Sequence, residues 1–150
     1  MCVSMDVAAC RWRSEADRIA AQNDNERRER VLAAEAATRA DVVALVEPIG
    51  SEGRPAPDSR EAWRFRVSKV LKGVIGAEIE LSVSSRMTVS CARTEAAFFD
   101  NMVYPHEIHI LYLKNGEVLR IASEDRLRNE GWLPMWREIR IVRKIVEKAR

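Results

Sequence analysis

Hydrophobic and polar residues alternate through the middle of the chain in the pattern that is typical of β-strands. Residues 63–68 read Trp-Arg-Phe-Arg-Val-Ser, and residues 79–84 read Ile-Glu-Leu-Ser-Val-Ser. Because side chains of a strand point alternately to its two faces, each segment predicts a strand with one buried and one solvated face. A turn at Lys72–Gly76 separates the two segments, so they are predicted to be consecutive strands.

Other segments predict three further strands. The uninterrupted apolar run Val42–Val46 is rich in β-branched residues and is closed by a proline, which is typical of a strand. Residues 106–113 and 117–122 flank Asn115-Gly116, the dipeptide that most readily accepts the positive φ angles of a tight hairpin turn. The segment from Cys91 to Tyr104 remains unassigned, and its Phe98-Phe99 pair is predicted to plug the space under a loop rather than to belong to a regular strand.

The two ends of the folded region are predicted to be helical. Residues 14–40 contain no proline or glycine, and Ser14 precedes Asp17 by three positions, as in a capping box. Four poor helix formers at 22–25 could bend this helix or split it in two. In the last segment, 133–149, apolar residues recur at helical spacing and cationic residues occupy the rest of the circumference, which predicts an amphipathic helix. Its apolar positions are Trp136, Ile139, Val142, Ile145 and Val146.

Length and charge narrow the possibilities. The 150 residues suffice for a single domain, 1–150, with one hydrophobic core. The net charge of +2, from 25 basic and 23 acidic residues, is too small to indicate nucleic acid by itself. No apolar run approaches the roughly 20 residues that a transmembrane helix needs, and the chain as given carries no export signal. Peripheral contact of the basic terminal helix with a membrane stays open.

Candidate chemistry is sparse. The three cysteines, Cys2, Cys10 and Cys91, have no spacing that is typical of a zinc site, and their odd number leaves at least one thiol free or paired between chains. His106 and His109 would point to opposite faces of a strand, which favours surface or hairpin-lining roles over a metal site. No nucleophile elbow or glycine-rich phosphate loop is present. We therefore expect no catalysis, no metal and no cofactor.

The order of several segments resembles the netrin-like domains related to tissue inhibitors of metalloproteinases. The resemblance is distant and covers roughly Ala40 to Ala122; its most distinctive part is a strand that ends in Val70-Leu71-Lys72-Gly73, followed by an alternating strand and Cys91. If this chain is a distant bacterial form of these domains, the resemblance implies a barrel of the oligonucleotide/oligosaccharide-binding (OB) type in an extracytoplasmic compartment. It also implies a disulfide between the early cysteine and the cysteine after strand three, here Cys10 and Cys91. Buried reduced thiols remain the alternative.

One property of that family is not carried over. Its inhibitors present a cysteine at the mature N-terminus to the zinc of a protease, whereas Cys2 here follows Met1 and Cys10 is internal. The dense disulfide framework of the inhibitors is also absent. Protease inhibition is therefore not predicted for this chain.

The predicted fold is mainly β (α+β): a five-stranded OB-type barrel over 41–122, preceded by a helix over 14–40 and followed by the amphipathic helix over 133–149. The predicted function is that of a non-catalytic extracytoplasmic interaction module whose partner is a protein. Its candidate surface consists of Trp132, Trp136, Arg140, Arg143 and Lys144.

Two alternatives stay open beside that prediction. The apolar face of the terminal helix would close the open end of the barrel, and its charges would simply be solvated. The other alternative is a nucleic-acid-binding protein that uses Arg64, Arg66 and the basic helix, although the third strand offers Glu80 and two serines on the corresponding face.

Overall fold

The computed structural model describes residues 14–50, 59–90, 96–123 and 133–149. These ranges contain seven strands between two helices. The elements are α1 (Glu15–Arg39), β1 (Val42–Pro48), β2 (Arg60–Lys72), β3 (Glu78–Ser84), β4 (Arg86–Ser90), β5 (Ala96–Asp100), β6 (His109–Lys114), β7 (Glu117–Ser123) and α2 (Met135–Lys148).

Five strands form one antiparallel sheet in the order β3-β2-β1-β6-β7. The sheet curls until its edge strands β3 and β7 touch, which gives a half-barrel. Register shifts in the pairing of β1 with β2, between Val43 and Ala44 and again between Leu45 and Val46, add local bending to this curl. The fold is thus α+β with a five-stranded curled sheet, as the sequence predicts at that level.

The position of each strand in the sheet explains its sequence pattern. Residues of β1 alternate between the concave face, where Ala44 and Val46 lie, and the convex face, where Val43 lies under the helices. A strand that is covered on both faces has no solvated positions, so its apolar run is uninterrupted. On β2, Trp63 and Phe65 point into the concave core while the alternate residues are exposed. The helices therefore cover the middle of the sheet and leave the outer side of β2 wet.

Two apolar clusters hold the layers together. The concave cluster fills the curl of the sheet, and its fully buried members are Ala44, Val46, Trp63, Phe65, Val83, Val103, Leu111, Leu113 and Ile121. The convex cluster joins the sheet to both helices through Ala36, Ala37, Ala40, Val43, Ile110, Tyr112, Ala122 and Val142. Small alanines on α1 allow that helix to approach the sheet closely.

Side-chain hydrogen bonds stabilise both ends of α1. The Ser14 hydroxyl accepts a hydrogen bond from the Asp17 backbone N–H at 3.1 Å, which caps the first turn. The helix runs without interruption through 22–25, so the four poor helix formers do not split it. At its C-terminus, Lys72 Nζ donates to the carbonyl oxygens of Ala37 at 2.9 Å and Ala40 at 2.5 Å. This ammonium group satisfies carbonyls that a helix end leaves unpaired.

The predicted turns behave as expected. Asn115 and Gly116 have φ angles of 52° and 79° in the β6–β7 connection, which confirms the hairpin. Gly73, with φ 74°, ends β2, and a Cβ atom built there would lie 2.2 Å from the Asp41 carbonyl oxygen. Only glycine fits that close approach of two backbones.

Three details of the sequence prediction are wrong. Phe98 and Phe99 belong to β5, which pairs with β4 in a separate two-stranded sheet. Strand β6 begins at His109, because residues before it form a turn in which His106 has φ 65°. Finally, α2 does not close an open end of the barrel but packs with α1 against the convex face of the sheet.

Candidate interaction surface

The two sides of α2 have different environments. Met135, Glu138 and Val142 are buried at spacings of three and four residues, so this side of the helix faces α1 and the sheet. Four residues of the interaction surface predicted from the sequence are exposed on the opposite side of the helix. We call this set the outer face of α2, and it consists of Trp136, Arg140, Arg143 and Lys144. The helix thus brings four of the five predicted surface residues together, while Trp132 lies outside the described residues.

Trp136 is the centre of the outer face. Its side chain is 53% exposed, although tryptophan carries a large apolar surface. The guanidinium carbon of Arg137 lies 5.1 Å from the centroid of its ring, and that of Arg140 lies 5.0 Å away. Both distances are within the range of cation–π interaction, which is worth about 0.5–1 kcal/mol at an exposed site. Contacts with two arginines therefore favour this position of the indole in the absence of a partner.

Contacts with α1 fix one of these arginines. Arg137 Nη1 forms a short ion pair with Glu26 Oε1, and Arg30 Nη2 donates to the same oxygen at 2.5 Å. The hydrogen bond from Arg30, followed by the positive charges of Arg137 and Arg30, lowers the pKa of Glu26. Because Glu26 stays charged, Arg137 is tied to α1 while it packs against the indole of Trp136.

A buried charge cluster lies on the other side of α2. Glu138 Oε1 accepts hydrogen bonds from Tyr112 Oη at 2.8 Å and from Arg120 Nε at 3.0 Å. Arg120 Nη2 donates to Glu29 Oε2 of α1 at 2.7 Å. The side chain of Arg120 is 9% exposed and those of both glutamates are 2% exposed. The buried charge cluster, Glu29, Tyr112, Arg120 and Glu138, therefore connects both helices with β6 and β7.

Burial and neighbouring charges shift the pKa values of two members of this cluster, Arg120 and Tyr112. Burial disfavours the guanidinium charge of Arg120, but the negative charges of Glu138 and Glu29 outweigh that penalty and raise its pKa. Burial, and secondarily the charge of Glu138, raises the pKa of the Tyr112 hydroxyl well above its ordinary value. The tyrosine therefore remains neutral and donates a hydrogen bond to Glu138. The cluster is a structural device that fixes how α2 lies on the sheet.

Sequence reasoning missed the buried charge cluster, although a signal was present. Glu29 precedes Ala33 by four residues and Ala36 by seven, so it lies on the small-residue stripe of α1. Glu138 likewise lies between Met135 and Val142 on the apolar side of α2. A carboxylate at such a position predicts a buried cationic partner, and Arg120 on β7 supplies it.

A second charged feature lies where β1 and β2 meet, and we call it the basic cleft. It has a volume of about 800 Å³ and contains both arginines of the nucleic-acid alternative, Arg64 and Arg66, together with His106. On β3, Glu80 and Glu78 are the cross-strand neighbours of Arg64 and Arg66. They do not line the cleft itself.

The two histidines do not converge on a common site. His109 is fully buried, and its Nε2 accepts a hydrogen bond from the Tyr104 backbone N–H at 3.0 Å. Its Nδ1 lies 2.9 Å from the Glu107 carbonyl oxygen, so that nitrogen carries the proton. His106 is exposed in the preceding turn. His109 therefore holds the turn before β6, and the described ranges contain no group of three residues that could ligate a metal.

Three other predicted residues cannot be placed. Cys2, Cys10 and Cys91 lie outside the described residues, so the predicted pairing of Cys10 with Cys91 stays a prediction.

Neither α1 nor α2 is long and apolar enough to cross a bilayer. Comparison of the chain with known protein families, curated proteins and solved structures finds no match.

Proposed function

We propose that the protein is a non-catalytic interaction module that binds an acidic surface of a partner protein through the outer face of α2. The observation that carries this proposal is Trp136, which is half exposed and lies within cation–π distance of two arginines on the side of α2 that faces away from the core. Tryptophan and arginine are the residues most often found at the energetic centres of protein interfaces. A preorganised indole also loses little conformational entropy on binding.

Charge supports an acidic partner. The α2 segment carries five cationic residues, and Glu147 is the only exposed carboxylate on it, because Glu138 is buried. A complementary acidic patch would be attracted from a distance and would bind in a defined orientation. Flat apolar partners without charge would leave these cations facing a surface that cannot solvate them.

The same geometry favours a protein over a lipid bilayer. Amphipathic helices bind membranes by burying their apolar side among the lipids. In α2 that side is already packed against the convex cluster through Met135 and Val142. On α2, Trp136 is the one large apolar residue that is exposed for insertion, which is too little for stable membrane binding without additional anchors.

We extend the proposal to an OB-type barrel of netrin-like kind. The strand order β3-β2-β1-β6-β7 and the contact between β3 and β7 support a partly open five-stranded barrel. The Lys72-Gly73 end of the resembling motif also has a physical role, since Lys72 caps α1 and Gly73 permits the approach to Asp41. A solved structure whose β3 and β7 edges lie far apart would contradict this assignment.

An extracytoplasmic location belongs to the same proposal. The resemblance supports it, because such domains pair an early cysteine with one after the third strand, here Cys10 and Cys91. Mass spectrometry of the natively purified protein without reduction tests the pairing, which we expect as a linked peptide containing both residues. Two reduced thiols together with an intact Met1 would contradict it.

Site-specific photo-cross-linking tests the proposed interface. A photoreactive phenylalanine in place of Lys144 should give a discrete adduct with one acidic protein in the native host, and the adduct should disappear when Trp136→Ala is added. The control position is Lys114, which is exposed at the end of β6 and distant in sequence from α2. Equal adducts from both positions, or none from position 144, would contradict the proposal, as would substrate turnover that disappears on a single polar substitution.

A nucleic-acid-binding function is the second candidate, and the basic cleft is the observation that favours it. Arg64 and Arg66 lie in one open depression of about 800 Å³ with His106. Phosphate contacts release counterions, so affinity for single-stranded DNA would fall steeply as salt rises. Fluorescence anisotropy with an oligothymidylate at low salt tests it, and the absence of binding there would eliminate this candidate.

A further inference from the structure

The basic cleft holds positive charge that the proposed protein interface does not use. It is lined by Pro48, Ile49, Gly50, Arg64, Arg66, Pro105 and His106. Two guanidinium groups and one imidazole thus line the cleft, and none of these seven lining residues is a carboxylate. Its volume of about 800 Å³ lies within the range that is typical of sites for small molecules.

The sheet presents both arginines to the same side. Trp63 and Phe65 point into the concave core, so the alternate positions 64 and 66 face outward on β2. Two residues span about 6.6–6.8 Å along a strand, which allows both guanidinium groups to reach one anion. Among the described residues, neither Arg64 nor Arg66 has a hydrogen bond or ion pair to another side chain. Their cross-strand neighbours Glu80 and Glu78 form no ion pair with them in this part of the structure, so both forks can contact a ligand.

A glycine makes room for one of these side chains. A Cβ atom built on Gly50 would lie 2.6 Å from both Cβ and Nε of Arg64. The arginine side chain therefore lies directly against the backbone at position 50, where any larger residue would displace it. The backbone N–H of Ile49 donates a hydrogen bond to the Arg64 carbonyl oxygen at 2.8 Å. This bond holds the backbone at positions 49 and 50 close to Arg64.

We propose that the basic cleft binds the phosphate group of a small phosphorylated ligand. The planar forks of Arg64 and Arg66 match phosphate oxygens in geometry and donate charge-assisted hydrogen bonds to them. His106 supplies a third polar group at the rim, and Pro48, Ile49 and Pro105 form apolar walls for the remainder of the ligand. This inference goes beyond the protein interaction on α2 and uses different residues.

Isothermal titration calorimetry with pyrophosphate and with inorganic phosphate tests the inference on the full chain. We expect pyrophosphate to bind the wild-type protein, and Arg64→Gln or Arg66→Gln to weaken binding at least about tenfold, because each removes charge-assisted hydrogen bonds. Arg60→Gln is the matched control, since Arg60 is exposed on the same strand but does not line the cleft. It should change the affinity by less than about threefold, the size expected for a distant surface charge.

A second variant and a second ligand test the basic cleft further. Gly50→Ala leaves every charge in place but displaces Arg64, so it should also weaken pyrophosphate binding severalfold. The proposal is wrong if neither phosphate compound binds, or if Arg60→Gln weakens binding as much as Arg64→Gln. An oligothymidylate that binds more tightly than pyrophosphate would assign the cleft to nucleic acid instead. Cross-linking from position 144 should be unchanged in Arg64→Gln, so the two proposals fail separately.

Discussion

Charged residues on the two sides of α2 serve different purposes. On the inward side, Glu138 is buried and shares its oxygens between Arg120 and Tyr112. On the outer face, Arg140 is exposed, and its guanidinium carbon lies 5.0 Å from the centroid of the Trp136 ring. A buried ion is stable only when its partners are fixed, whereas an exposed ion gains little from its neighbours. The inward charges therefore determine the fold, and the outward charges are available for a partner.

The largest expected effect on stability comes from replacing a buried arginine with methionine, compared with the same replacement of an exposed arginine. Arg120→Met leaves Glu29 and Glu138 buried without their shared cation, so we expect the free energy of unfolding to fall by about 3–5 kcal/mol. Arg140→Met removes an exposed charge and one cation–π contact, so it should lower the free energy of unfolding by no more than about 1 kcal/mol. Urea unfolding followed by circular dichroism measures both, and equal losses in the two variants would break the comparison.

A smaller effect is expected from a pair of lysines. Lys72→Met removes an ammonium group that donates to two carbonyls at the end of α1. We expect a loss of about 1–2 kcal/mol in the free energy of unfolding, since hydrogen bonds that involve a charge are worth more than neutral ones. Lys144→Met on the outer face is the control and should be close to wild type. Identical stability of Lys72→Met and the wild type would show that the cap contributes nothing.

Tyr112 sharpens the comparison through pH. Burial raises its pKa, so the folded protein holds the neutral hydroxyl while an unfolded tyrosine ionises near pH 10. The stability that this group contributes is complete below about pH 10 and declines as pH rises further, because ionisation then favours the unfolded chain. Tyr112→Phe should cost about 1 kcal/mol at neutral pH through the lost hydrogen bond to Glu138.

The pH test compares unfolding curves of the two proteins between pH 8 and about pH 11. The wild-type protein should lose stability faster than Tyr112→Phe above about pH 10, where free tyrosine begins to ionise. Parallel curves for the two proteins would contradict a buried neutral hydroxyl at this position.

A loss about as small as that of Tyr112→Phe is expected from the aromatic residue of the outer face. Trp136→Ala removes two cation–π contacts, each worth about 0.5–1 kcal/mol, and little buried surface. We expect the free energy of unfolding to fall by about 1 kcal/mol. The control is Trp63→Ala in the concave core, where loss of a buried tryptophan should cost about 3–5 kcal/mol.

Much of the fold follows from local sequence pattern. Alternation at 63–68 and 79–84 predicts strands with one wet face, and Asn115-Gly116 predicts the hairpin that the structure contains. The helix over 14–40 continues through the poor helix formers at 22–25 because its buried side packs against the sheet and α2. Such tertiary packing outweighs a few residues of low helix propensity. Local signals are strong wherever one face of an element is solvated.

Other features depend on contacts between distant parts of the chain. No periodicity in α2 reveals that its apolar side meets α1 and the convex face rather than the end of the barrel. The β4–β5 pair was missed because Phe98-Phe99 breaks the alternation by which a strand is recognised. The outer face of α2 was predictable as a set of residues, but the clamping of Trp136 by Arg137 depends on Glu26, which is 111 residues away in sequence.

We propose that the outer face of α2 is the binding surface while the inward side is structural. The most direct test uses the double variant Trp136→Ala/Arg140→Glu and measures its affinity for the cross-linked partner together with its urea unfolding. We expect a dissociation constant raised at least about tenfold, a typical loss for an interface anchor, and a free energy of unfolding within about 1–1.5 kcal/mol of the wild type. An unchanged dissociation constant in a folded variant would contradict it.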